Sequence, residues 1–143
     1  MKDKIFFLDT NIFIYALSDI NHTQGLLNKF EVADSLIKSA LATGHGVISF
    51  QVVQEFLNTC CKLKLNEESS KKVLQKILQP LWKINSNPEL YYKAQSLHKK
   101  TRFSFYDSLI ISAALQSNAK ILYSEDMHSG FKIDGLTILN PFL

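Results

Sequence analysis

The chain has 143 residues, 46% of them hydrophobic and 20% charged, a composition that provides one sizeable core and excludes disorder as the main state. Its two cysteines, Cys60 and Cys61, are adjacent and form neither a disulfide framework nor a CxxC metal knuckle. The first apolar run ends at Asp9, too soon for a signal peptide, so a reducing, cytoplasmic setting is expected. No stretch approaches the roughly 20 apolar residues of a membrane helix, and the net charge of +3, carried almost wholly by Lys with Arg102 alone of its kind, permits a polyanionic partner without demanding one.

Residues 4–8 (KIFFL) predict a buried strand, after which Asp9, Thr10 and Asn11 supply cap-type residues for a helix over IFIYAL. A polar stretch, residues 18–25, follows. Leu26, Leu27, Phe30, Ala33, Leu36, Ile37, Ala40 and Leu41 recur at helical spacing until Gly44 and Gly46. Residues 47–50 predict a second strand, and Val52, Val53, Phe56, Leu57 and Cys60 the helix after it. Asn66, with Glu67 and Glu68 behind it, opens a further helix. Residues 81–84 predict a third strand, and Asn87-Pro88-Glu89 starts a helix that ends near the basic segment from His98 to Arg102. Ser104 opens the most apolar helix, to about Ser117. A fourth strand over 121–124, a turn or short helix over 127–130 and a fifth strand over 136–139 follow. This alternation, without repeat or linker, predicts a single α/β domain spanning 1–143. Its mainly parallel sheet of four to five strands is covered on both faces, and in such sheets ligands bind beyond the carboxyl ends of the strands.

Four acids bear on that edge. Asp9 directly follows the first strand, Asp126 stands in the same relation to the fourth with Glu125 competing beside it, and Glu55 lies one helical turn past the second. Each has an ordinary alternative: Asp9 as a helix N-cap, Glu55 as a solvated helix-edge acid, Asp126 as a turn acid. Asp107 is harder to assign to the surface, because Ile110, Ile111 and Ala114 lie three, four and seven positions later on the same helical face. It either completes a capping box with Ser104 or is paired, metal-bound or protonated, since an unpaired buried charge is costly. Four carboxylates in one cleft repel each other, and a hard divalent cation such as Mg²⁺ or Mn²⁺ is the usual remedy. The chemistry this favours is phosphodiester hydrolysis by a metal-activated water.

The strings FLDTNIFIYA (7–16), VISFQVVQEFLN (47–58), SFYDSLIISAA (104–114), LYSEDM (122–127) and GLTILNPF (135–142) resemble a PIN-domain ribonuclease and are closely similar to the VapC toxins of bacterial toxin–antitoxin pairs. The resemblance covers essentially the whole chain. It implies a three-layer α/β/α fold in which Asp9, Glu55, Asp107 and Asp126 hold Mg²⁺ or Mn²⁺ and carry the catalysis. Thr10 and Asn11 would orient this cluster, and Ser124 would place a small hydroxyl beside the fourth acid. It further implies endonucleolytic cleavage of RNA, with tRNA or another structured RNA as candidate substrate, a cognate antitoxin and a homodimer. Arginine, common around related sites, is nearly absent here, which leaves the RNA-contacting residues open.

His98, Lys99, Lys100 and Arg102 just precede Asp107 and are candidates to grip phosphates; the alternative is a solvated helix C-terminus. His22, His45 and His128 lack ligand spacing and read as surface residues. Phe103, Phe105, Tyr106 and Trp82 read as core rather than base-stacking platforms, and residues 18–25 are a candidate border of the substrate channel. Two other classes compete. An aspartyl-nucleophile phosphatase needs a second Asp where Asn11 stands. A non-catalytic module that binds RNA or protein gains nothing from clustered negative charge facing a polyanion.

Overall fold

The computed structural model describes residues 4–17 and 24–143. They form β1 (Phe6–Leu8), α1 (Thr10–Ala16), α2 (Gln24–Thr43), β2 (Gly46–Ser49), α3 (Phe50–Lys62), α4 (Glu67–Val73), a π-helical turn (Leu74–Leu78), α5 (Gln79–Leu81), β3 (Trp82–Ile84), α6 (Pro88–Lys100), α7 (Phe105–Gln116), β4 (Ile121–Tyr123), β5 (Lys132–Ile133) and β6 (Leu136–Leu139). The strand order is β3-β2-β1-β4-β6-β5, parallel throughout except for the β5–β6 hairpin. α1 packs on α2 and α3, and α6 on α7, so the sheet lies between helical layers. β1 is flanked by β2 on one side and β4 on the other, and the chain order reverses there. That is the point where an open parallel sheet leaves a crevice beyond its strand ends.

Burial follows from these positions. Phe7 and Leu8, adjacent in β1, are both buried, as all of β2 is, because a parallel sheet is covered on both faces. α3 is one-sided, burying Val52, Val53, Phe56 and Cys60 while Gln54 and Cys61 are exposed. α7 is buried continuously from Ser108 through Ala114, as its all-round apolar sequence requires. Gly44, at φ +74°, terminates α2. Gly46 is needed for closeness: a Cβ there would lie 2.1 Å from the Cβ of Ala40, so no other residue lets β2 start against α2. Among the described residues no helix is long and apolar enough to cross a membrane.

Several elements depart from expectation. Phe50 begins α3 rather than ending β2. The helix capped by Asn66 passes through a π-helical turn over Leu74–Leu78, just ahead of Pro80, which has no N–H to offer the carbonyl four residues back. The sheet has a sixth strand, the two-residue β5, joined to β6 through Asp134 (φ 48°) and Gly135 (φ 86°). The Asp-Gly dipeptide of a type I′ turn was the signal for it. Phe103 is half-buried and meets Phe131 edge-on, but Phe105, Tyr106 and Trp82 are exposed rather than core. The first two stand at the start of α7, ahead of its buried segment, and Trp82 lies on edge strand β3. His128 is exposed and His45 half-buried; His22 and most of the polar stretch, residues 18–23, lie outside the described residues.

Candidate active site

The backbone of Asp9 continues β1 by donating its N–H to the Tyr123 carbonyl at 3.0 Å, which fixes the side chain at the end of the central strands. The carboxylate is 8% exposed. One oxygen accepts from the Thr10 N–H at 2.8 Å, opening α1, and the other from the Ser124 hydroxyl at 2.8 Å. Asp9 is therefore both the helix cap and a member of the cluster, and the two sequence readings describe one residue.

Glu55 comes in from α3, half-buried rather than solvated. The Thr10 hydroxyl donates to its Oε1 at 2.6 Å, and the Gln51 side-chain amide donates to its Oε2 at 3.2 Å and to the Tyr106 carbonyl at 3.1 Å. Gln51 thus ties α3 to the first turn of α7, where Asp107 sits half-buried. The Ser104 hydroxyl accepts from the Asp107 N–H at 3.1 Å and caps α7. Asp126, beyond β4, accepts from the Asn11 amide at 3.3 Å. Gln51 was not singled out from sequence, although it lies four residues before Glu55 and therefore on the same helical face.

Glu125 is drawn away from these acids. It accepts from Lys29 Nζ and from the Tyr15 hydroxyl, and Lys29 also lies 4.9 Å from the centre of the Tyr15 ring. Burial alone would raise the Glu125 pKa, but the Lys29 and Tyr15 hydrogen bonds outweigh it and hold the carboxyl below its usual range. Thr10, Asn11, Tyr15, Glu55, Asn58, Glu125 and Asp126 line a cleft of about 540 Å³. A larger depression, about 640 Å³, lies at the opposite end of the sheet against Lys4, Lys120 and Thr137 and contains no acid.

The acids feel one another. Burial pushes the Asp9 pKa up to about 6 against the hydrogen bonds from Ser124 and Thr10, with further upward pressure from Glu55 and Asp107. Asp107 is also raised, by burial first and then by Asp126 and Glu55, against the Ser104 hydroxyl. Among the described residues no three acid, His or Cys side chains close around one point; Asp9 interacts electrostatically with Glu55 and Asp107, and Asp107 with Asp126 and Glu55. The donor set fits a hard divalent cation. It is all oxygen, and the buried Oδ1 of Asn11 and Oε1 of Gln51 beside it have no hydrogen-bond partner.

The basic segment is separate from the cleft. Lys99, Lys100 and Arg102 are exposed at the end of α6 and in the link to α7; His98 Nδ1 lies 2.9 Å from the Phe103 carbonyl oxygen. None of the four lines the cleft.

The profile of the PIN domain matches residues 6–132. No curated protein sequence matches the chain. Among solved structures it is similar to a toxin–antitoxin complex from Klebsiella pneumoniae, with TM-score 0.67 and 17% identity over 94% of this chain and 96% of that one. FitAcB from Neisseria gonorrhoeae gives TM-score 0.62 and 19% identity, over 96% of this chain and 99% of that one. VapC20 of Mycobacterium tuberculosis, described as a sarcin-ricin loop cleaving toxin, gives TM-score 0.59 and 15% identity, over 85% and 89%.

Proposed function

The chain belongs to the PIN-domain family, and from that premise we propose that it is a Mg²⁺- or Mn²⁺-dependent endoribonuclease whose ion is held by Asp9, Glu55, Asp107 and Asp126. The observation that carries this reading is the gathering of acids from separate segments at the reversal point of the sheet, where Ser124 holds the buried Asp9, Thr10 holds Glu55 and Asn11 holds Asp126. A buried acid at such a cost, held by its neighbours in an ionisable position, fits a site that gains its stability from a cation. When bound, such an ion supplies Lewis-acid chemistry at a phosphate and acidifies a water for in-line attack.

The chain's own groups do the positioning. Ser124 and the Thr10 N–H fix both oxygens of Asp9, Thr10 and Gln51 fix both oxygens of Glu55, and Asn11 steadies Asp126. Lys29 and Tyr15 keep Glu125 out of the set, so Asp126 rather than Glu125 is the ligand. Asn11, two positions after Asp9, gives its amide to Asp126 and leaves no general acid there for an aspartyl phosphatase.

The fold shared with the Klebsiella toxin–antitoxin complex and with the Mycobacterium toxin supports a toxin role: a single domain over residues 1–143, acting in the cytoplasm as a homodimer. Its substrate is RNA, tRNA or another structured RNA, and its inhibitor a cognate antitoxin. Lys99, Lys100 and Arg102 are the proposed phosphate contacts. Asp9→Asn and Asp107→Asn are each expected to abolish Mg²⁺-dependent RNA cleavage while the circular dichroism spectrum is unchanged. Undiminished cleavage by the purified double variant would overturn the assignment.

A further inference from the structure

Tyr106 immediately precedes Asp107 and is 68% exposed; Phe105 beside it is 37% exposed, its ring centre 5.8 Å away at 73°. Neither ring is needed by the core, whose share of α7 begins at Ser108. The Tyr106 hydroxyl makes no hydrogen bond among the described residues, whereas those of Tyr15 and Tyr91 do. Yet the residue is firmly set. Its carbonyl is held by the Gln51 amide, which also holds Glu55, so its backbone is fixed one hydrogen-bonded side chain away from Glu55, and it adjoins Asp107 in sequence. An exposed aromatic on a fixed backbone loses little entropy on stacking.

Charge narrows the occupant. Lys99, Lys100 and Arg102 are exposed within the seven residues before Tyr106, and a row of cations followed by an aromatic ring fits a polymer that alternates phosphates with planar bases. We propose that Tyr106, backed by Phe105, is a stacking platform for an unpaired nucleobase next to the scissile phosphate. This extends the endoribonuclease reading and rests on it. It makes the substrate single-stranded at the cut, because a base within a helix has no free face to offer.

The test uses a single-stranded RNA that the wild type cleaves, with 2-aminopurine placed beside the cut. Tyr106→Ala is expected to raise KM about tenfold with kcat little changed, the loss of one stacked base, and Tyr106→Phe to restore the wild-type KM. Quenching of 2-aminopurine on binding in the absence of divalent cation is expected for wild type and Tyr106→Phe and lost in Tyr106→Ala. Unchanged KM and unchanged quenching in Tyr106→Ala would overturn the platform, as would a defect confined to binding of a protein inhibitor. Absence of cleavage of any RNA by the wild type would instead defeat the nuclease reading, and quenching of single-stranded RNAs carrying 2-aminopurine at successive positions would still decide whether the ring stacks. Thermal melts of Tyr106→Ala and Tyr106→Leu guard against misfolding.

Discussion

Asp9 is a buried acid that works against the stability of its own fold. Its pKa rises from 3.8 to about 6 on folding, so the folded state binds the proton more tightly. Stability should therefore fall as pH rises from about 4 through 6 and stay at the lower level above that. Asp9→Asn removes the penalty while still able to accept from the Thr10 N–H. Without divalent cation at pH 7.5 it is expected to be more stable than wild type by about 1–3 kcal/mol, the equivalent of the shift, and the advantage should vanish near pH 4. Thermal melts across this range check it; a variant less stable than wild type at pH 7.5 would contradict it. The acids themselves were legible in sequence because Asp9 and Asp126 follow strands, Asp107 opens a helix and Glu55 lies one helical turn past a strand. Their supports were less so: Gln51 acts partly on a backbone carbonyl 55 residues away, and the choice between Glu125 and Asp126 turns on Tyr15 and Lys29, 110 and 96 residues distant.

At the level of elements, the site depends on how closely α2 lies against the start of β2, since β2 leads directly into α3 and Glu55. Gly46 permits that approach. Gly46→Ala should force the strand or helix to move, at roughly 1–3 kcal/mol or more, whereas Gly44→Asn keeps a residue tolerant of positive φ in open space and should cost well under that. Urea unfolding separates them; equal losses would show that the approach at Gly46 is not tight. The alternation of buried strands and periodic helices made the mainly parallel sheet readable in advance, but not the order of its strands. The hairpin β5 escaped because two residues, one of them Lys132, carry no apolar period. The exposure of Phe105 and Tyr106 escaped because a helical wheel gives direction around an axis and not where the covering layer stops.

Across the whole molecule, the mild excess of base conceals an uneven balance. If bound divalent cations neutralise the four acids proposed as ligands, sixteen bases face the nine acids that remain of thirteen. Such a surface attracts a polyanion diffusely, and affinity should fall steeply with salt. Replacing Lys99, Lys100 and Arg102 with Gln is expected to lower the slope of log affinity against log salt by about 2, at roughly 0.7 per lost contact with single-stranded RNA. Anisotropy titrations with Asp107→Asn as the uncleaving parent would measure this, and an unchanged slope would move the phosphate contacts elsewhere. The central position of β1 also governs timing. Asp9 is among the first residues made, but its backbone partner is Tyr123 and its hydroxyl partner Ser124. Synthesis runs from the amino end, so a chain on the ribosome carries Asp9 well before the two residues that hold its backbone and one of its carboxylate oxygens. The hydrogen bonds that fix Asp9 at the sheet edge therefore first form once Tyr123 and Ser124 have emerged, so the arrangement of the acids is a property of the finished chain.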